Sequence, residues 1–269
     1  MAGFDQVLGQ EHIKKFFRNA AATGNVPHAC ILSGEEGMGK RKLAEAFARN
    51  LLCERGGAEA CGQCHSCKQT AAESHPDLIF VTHEKPASIG VDDVRKQIQD
   101  TIVIRPYSGR NKIYIVDEAE KMTVQAQNAL LKTIEEPPSY GVILLLTENL
   151  DIFLPTILSR CVQLKCRPVS DRDGKAYLMD HLHVPEERAE IYAAFGRGNI
   201  GKMVDFATSE KFQNMYDKMI YILKNIKEMD ISDLLNCIKE LKDENVDIYD
   251  CLDFMQLWYR DVLMYKVTR

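Results

Sequence analysis

No run of the roughly 18 to 20 uninterrupted apolar residues that a membrane span requires occurs in these 269 residues. The start, "MAGFDQVLGQEHIKKF", lacks the apolar centre of an export leader. The expected compartment is therefore the cytoplasm, with no membrane partner. Positive charge is also short: 34 Lys and Arg against 39 Asp and Glu leave a net charge of -5. That balance argues against a chain that grips DNA by itself through a broad basic face. Internal repeats and low-complexity tracts are missing as well. Disulfides are not expected either, because nine cysteines without an export signal point to reduced thiols or metal ligands.

What is present is an ordinary globular composition, 45% apolar, enough for one large domain or two to three small ones. Apolar runs at 28–34, 77–83, 112–118, 142–148 and 161–166 alternate with helical patterns. Continuous apolar strands separated by helices predict an α/β fold, a parallel sheet covered by helices on both faces. Around "KCRPVSDRDG" the composition changes, and everything beyond is helical in pattern, with a break at "GRGNIG". Three segments follow: a nucleotide-binding-like domain over 1–166, a small helical segment over 167–208 and an all-α segment over 209–269. The last helix runs apolar to its end without a Gly or Pro stop, so the natural chain is expected to continue and the third segment to be incomplete. The methionines of "MYDKMIYILKNIKEM" and the aromatics near Trp258 read as core packing.

The first strand opens into "GEEGMGK", which fits G-x-x-x-x-G-K with Gly34, Gly37, Gly39 and Lys40. Backbone N–H groups freed by glycines cradle phosphates, and the lysine adds charge, when such a loop joins a buried strand to a helix. Arg41 then stands where a Ser or Thr hydroxyl would hold magnesium. A bulky cation there disfavours the metal or replaces it electrostatically; the plain alternative is a solvent-facing helix residue. Weak or absent ATP or ADP binding with an impaired magnesium site is the expectation. "KIYIVDE" delivers Asp117 and Glu118 at the C-terminal end of a strand, where open parallel sheets build their sites. In nucleotide hydrolases such a pair organises the metal shell and polarises water; elsewhere it merely caps a helix. Asn149, ending "VILLLTEN", is either a polar sensor beside that pair or a turn residue.

The sharpest chemical signal is "CERGGAEACGQCHSC". Cys53, Cys61, Cys64 and Cys67 follow C-x7-C-x2-C-x2-C, a spacing suited to tetrahedral Zn2+ held by four thiolates. Four protein ligands leave no open position, so the site reads as structural, and His65 and His75 are not needed. Free thiols, a redox pair and an iron–sulfur cluster are the competing readings. Farther on, "LPTILSRC" puts Arg160 at the end of a short helical turn before the last strand, where a permanently charged fork could reach a neighbour's nucleotide; the plain alternative is an ordinary surface arginine.

Taken in order, "FDQVLGQEHIKKFF", the glycine loop, the four-cysteine insertion, "HPDLIF", "IVDEAEKMTVQAQNALLKTIEEPP", "LLLTEN" and "TILSRC" resemble the bacterial clamp-loader subunits of the AAA+ class, within the DNA polymerase III holoenzyme. The resemblance covers the whole chain. It implies an AAA+ P-loop sheet domain, a helical lid and a collar domain. It also implies gamma/tau and delta subunits as partners in a ring, with the sliding clamp and primed DNA reached through the complex. Two kinds of subunit in that family carry both the zinc insertion and the Ser-Arg-Cys motif: a motor with an intact Lys-Thr or Lys-Ser loop, and a stationary subunit with a degraded one. Arg41 matches the latter, for which no ATPase or polymerase activity of its own is expected. Arg160 would then be the arginine finger presented to a motor's ATP site. Lys202 stands where the family's second sensor arginine would be, and as a point charge it departs from that pattern.

Overall fold

The computed structural model describes residues 3–83, 85–243 and 248–267. The chain divides into two compact units, Met1–Pro168 and Val169–Arg269.

In the first unit the apolar runs become five parallel strands, β1 (Ala29–Ser33), β2 (Leu78–Val81), β3 (Lys112–Val116), β4 (Gly141–Thr147) and β5 (Val162–Lys165). Their order is β2-β3-β4-β1-β5, with β1 paired to β4 on one side and β5 on the other. β1, β3 and β4 are buried along their whole length, as expected of central strands covered on both faces. One face packs on α1 (Glu11–Thr23) and α2 (Lys40–Leu52), where the Phe17 and Phe47 rings stack with centroids 4.0 Å apart. α3 (His65–Ala71) follows α2. The other face packs on α4 (Val91–Val94), α5 (Asp100–Ile102) and the π-helical turn Arg95–Gln99 between them. It also takes α6 (Val124–Glu135) and the short α7 (Pro155–Leu158).

One buried carboxylate fixes the entry to β3. Asp77, 1% exposed, accepts from the backbone N–H groups of Tyr107 (2.6 Å), Ser108 (2.8 Å) and Gly109 (3.0 Å). Burial alone would raise its pKa; these three donors outweigh burial and hold the carboxyl below its ordinary 3.8. Removing the acceptor leaves three inward-facing donors unsatisfied, so Asp77→Ala should lower stability by about 3 kcal/mol or more, read from urea unfolding at pH 7. The sign with pH follows. A depressed carboxyl contributes its full stabilisation above about pH 4 and loses it as pH falls through the lowered folded value, so the gap between wild type and variant should shrink towards pH 2. A gap that does not change with pH would assign the effect to packing instead.

The second unit is helical: α8 (Asp171–Leu182), α9 (Glu186–Gly196), α10 (Ile200–Thr208), α11 (Glu210–Asn225), α12 (Ile231–Asp243) and α13 (Ile248–Val267). A single core runs from Leu178 through Met203, Met215 and Met219 to Phe254. Met203 fills the space left by two glycines: a Cβ on Gly174 or Gly196 would lie 2.6 Å or 2.3 Å from it. No described helix is long and apolar enough to cross a membrane.

Candidate functional site

β1 ends at Ser33 and the loop begins at once, since Gly34 N–H continues the ladder to Thr147 O (3.1 Å). Gly34 is required by space: a Cβ there would sit 2.9 Å from the Cβ of Cys166. Gly37 (φ 83°) and Gly39 (φ 85°) take left-handed backbone, and Gly39 caps the N-terminus of α2. Lys40 turns back over the loop, donating to the carbonyls of Gly34 (2.5 Å) and Glu35 (2.9 Å). The loop therefore has the strand-loop-helix form of a phosphate cradle, with its lysine engaged by the loop itself.

The next residue has a more unusual setting. Arg41 donates from Nε to Glu45 (2.8 Å) and faces Glu73 (3.5 Å) and Asp117 (3.8 Å), while its guanidinium lies 5.2 Å from the centre of the Phe80 ring. The Glu45 hydrogen bond is the main reason its already high pKa is raised further. Asp117, at the end of β3, is the group expected to organise a metal shell, and a guanidinium now stands beside it. Glu118 follows with left-handed backbone (φ 48°) and is paired with Lys121 at 2.7 Å and His83 at 3.7 Å. Its pKa is lowered, chiefly by the Lys121 bond.

Asn149 stands two residues past the end of β4, and its Oδ1 accepts from Asp151 N–H (2.9 Å) as the cap of a short 3-10 turn. Lys202 lies on α10 of the second unit, where its backbone N–H donates to the capping side chain of Asn199.

The cysteines converge. The Sγ atoms of Cys53, Cys61, Cys64 and Cys67 all lie within 4.8 Å of one another, and Cys61 and Cys67 are 4.0 Å apart. Thiolates at about 2.3 Å around a tetrahedral zinc stand about 3.8 Å from each other, so the donor set and spacing fit that ion. Backbone N–H groups already point at the sulfurs: Cys61 to Cys53 (3.3 Å), Cys64 to Cys61 (3.4 Å) and Cys67 to Cys64 (3.4 Å). Such donors stabilise thiolates. The N–H of Gln63, then that of Cys64, brings the Cys61 thiol down to about 6, while burial pushes Cys67 above the ordinary thiol range. His75 is occupied elsewhere, buried with Nδ1 accepting from Asp77 N–H (3.1 Å).

Arg160 lies at the opposite rim of the sheet from the loop. β5 begins at Val162 opposite Cys30 and ends at Lys165 opposite Ser33, after which β1 enters the loop. The arginine precedes β5, so at least the length of that strand, roughly 10 Å, separates it from its own chain's cradle. Its NH2 group is 3.0 Å from Glu135, and NH1 donates to Thr156 O (3.1 Å) and Ser159 Oγ (3.3 Å). Of these partners, Glu45 was readable as the i+4 neighbour of Arg41 on one helix. Glu73, Phe80 and Glu135 are tertiary contacts without a local signal.

A phosphate-loop sheet of this order, with a helical unit after it, is an AAA+-type nucleotide fold. The Thermotoga maritima RuvB Holliday junction branch migration motor shares it, with a TM-score of 0.52 at 16% identity over 93% of this chain and 76% of that one. Residues 9–170 match the family described as DNA polymerase III, delta subunit, and the chain belongs to that family. The tau subunit of DNA polymerase III from Bacillus subtilis is 30% identical over 98% of this chain and 50% of its own length. The gamma subunit from Buchnera aphidicola subsp. Baizongia pistaciae is 29% identical over 96% and 75%. The delta' subunit from Pseudomonas aeruginosa is 44% identical over 61% of this chain and 49% of its own length. The chain thus spans about half the length of the tau and delta' relatives.

Proposed function

We propose that this chain is a delta-prime-type subunit of the DNA polymerase III clamp loader: a stationary member that helps place the sliding clamp on primed DNA and lends Arg160 to the ATP site of an adjacent gamma/tau motor. The observation that carries the stationary role is the Arg41 guanidinium beside Asp117, with Glu45 and Glu73 on its other sides. A fixed cation there supplies the charge of a divalent ion without its open coordination positions, so a polyphosphate bound in the loop lacks a metal-held geometry for attack. The far-rim position of Arg160 supports action on a neighbour, because it is too far from its own loop. Asn149 and Lys202 would be remnants of nucleotide sensing. In this reading segments 167–208 and 209–269 serve as lid and collar. The exposed Ile231, Leu235 and Ile238 on α12 supply a face for other subunits, and the four cysteines hold structural zinc.

The test is nucleotide binding and turnover by the purified chain. We expect no ATP turnover, and any binding of a fluorescent ATP analogue should be indifferent to magnesium. Arg41→Thr, which removes the internal cation and returns a hydroxyl, should make that binding magnesium-dependent. No change in the variant would place the block elsewhere in the site. A second reading, a gamma/tau-like motor, is favoured by the near-complete alignments with tau and gamma and by the presence of Asp117 and Glu118. Steady turnover by the wild-type chain, abolished by Glu118→Gln, would establish it.

A further inference from the structure

Arg160 is not extended. Its guanidinium is folded back over its own helical turn, with NH1 on the carbonyl of Thr156, four residues earlier, and on Ser159 Oγ. NH2 is held at 3.0 Å by Glu135. A finger that reaches a neighbouring subunit must first leave these contacts. Glu135 itself is oddly chosen. It is the last residue of α6, where the negative end of the helix dipole disfavours a carboxylate, and Glu136 beside it adds like charge. Lys132, one turn earlier on α6, offsets part of that charge, and the cation that the structure places directly on Glu135 is Arg160.

We infer that Glu135 is a positioning residue, the resting partner that keeps the Arg160 guanidinium retracted until a neighbour's polyphosphate outcompetes one carboxylate for it. The inference rests on the reading of Arg160 as a finger acting in trans. Both side chains are about half exposed, and an exposed pair of this kind holds only weakly, which suits a latch that must open in each cycle. A triphosphate carries more charge than the single carboxylate and accepts both N–H groups of the fork, so exchange favours the neighbour once its nucleotide is in reach. Without DNA to align the subunits, the retracted arginine keeps turnover low.

The experiment uses the complete loader reconstituted with wild type, Glu135→Gln, Glu135→Asp, Arg160→Ala and the Glu135→Gln/Arg160→Ala pair, with assembly checked for each. ATP turnover is measured with and without primed DNA. Glu135→Gln should raise the DNA-free rate about two- to fivefold, the factor an exposed ion pair can carry, and leave the DNA-stimulated rate near wild type. Glu135→Asp should restore the low DNA-free rate, and the pair should match Arg160→Ala alone. A merely structural Glu135 would change turnover in the Arg160→Ala background as well, which would overturn the inference. So would an unchanged or lowered DNA-free rate in Glu135→Gln while Arg160→Ala still reduces turnover; in that case the finger survives and the latch does not. If Arg160→Ala itself leaves turnover unchanged, the finger reading fails and takes the latch with it.

Discussion

Protein prepared without added metal is expected to contain about one zinc per chain, and Cys67→Ser is expected to lose it along with the fixed structure of 53–71. The four sulfurs are already gathered, and among the described residues no apolar side chain of the glycine-rich segment between Cys53 and Cys64 is buried to hold it otherwise. A few polar contacts also tie it down: the Asn50 side chain donates to Ala58 O (2.8 Å), Arg18 pairs with Glu59 (2.7 Å), and Glu54 accepts from Ser66 N–H (3.0 Å). Structural zinc contributes an apparent free energy of about 10–16 kcal/mol in small thiolate sites at neutral pH, as large as the whole stability of many domains. Since α2 and the sheet have their own core, chelation should loosen the segment and lower the melting temperature rather than unfold the first unit. Metal analysis, thiol counting and thermal melting with and without a chelator check this. Metal-free protein with four reactive thiols and an unshifted melting curve would overturn the zinc assignment.

The second large effect is expected from Arg160→Ala. If Arg160 is the finger proposed above, losing its stabilisation of the charge of phosphoryl transfer should slow turnover at the neighbouring site by about 10³-fold, so that total loader ATPase falls by that site's share. Nucleotide affinity and assembly should be preserved, because the side chain is exposed and supports no core. Arg160→Lys should recover little, since an ammonium lacks the planar fork. Reconstituted loader with primed DNA is the assay; unchanged turnover would mean that Arg160 is not the finger.

The sheet was legible because its strands are nearly unbroken apolar runs, which a buried parallel strand requires. Where expectation and structure differ, particular bonds explain it. The run 77–83 forms a strand only over Leu78–Val81, because Thr82 N–H leaves the ladder for Gln97 Oε1 at 2.9 Å. The run 112–118 stops at Val116, because Glu118 turns to left-handed backbone, a conformation that nothing in "VDEAEK" announces. The cysteine cluster was readable because close spacing brings its sulfurs together within one short segment. The Arg41 surroundings were readable only in part. That an arginine replaces a hydroxyl residue is a fact of sequence, but Glu73 and Phe80 reach it only after α3 and β2 have packed beside α2. Asp77 shows the same limit: its three backbone partners lie about thirty residues away.

The placement of the loop and Arg160 at opposite rims of one sheet has a consequence for assembly geometry. A subunit with a receptor at one end and a donor at the other would be directional, and such subunits would join head to tail through a heterologous interface. In such a row every junction needs one working receptor and one donor. If Arg41 disables the receptor and Arg160 is the donor, as proposed above, this chain would activate the junction on one side only.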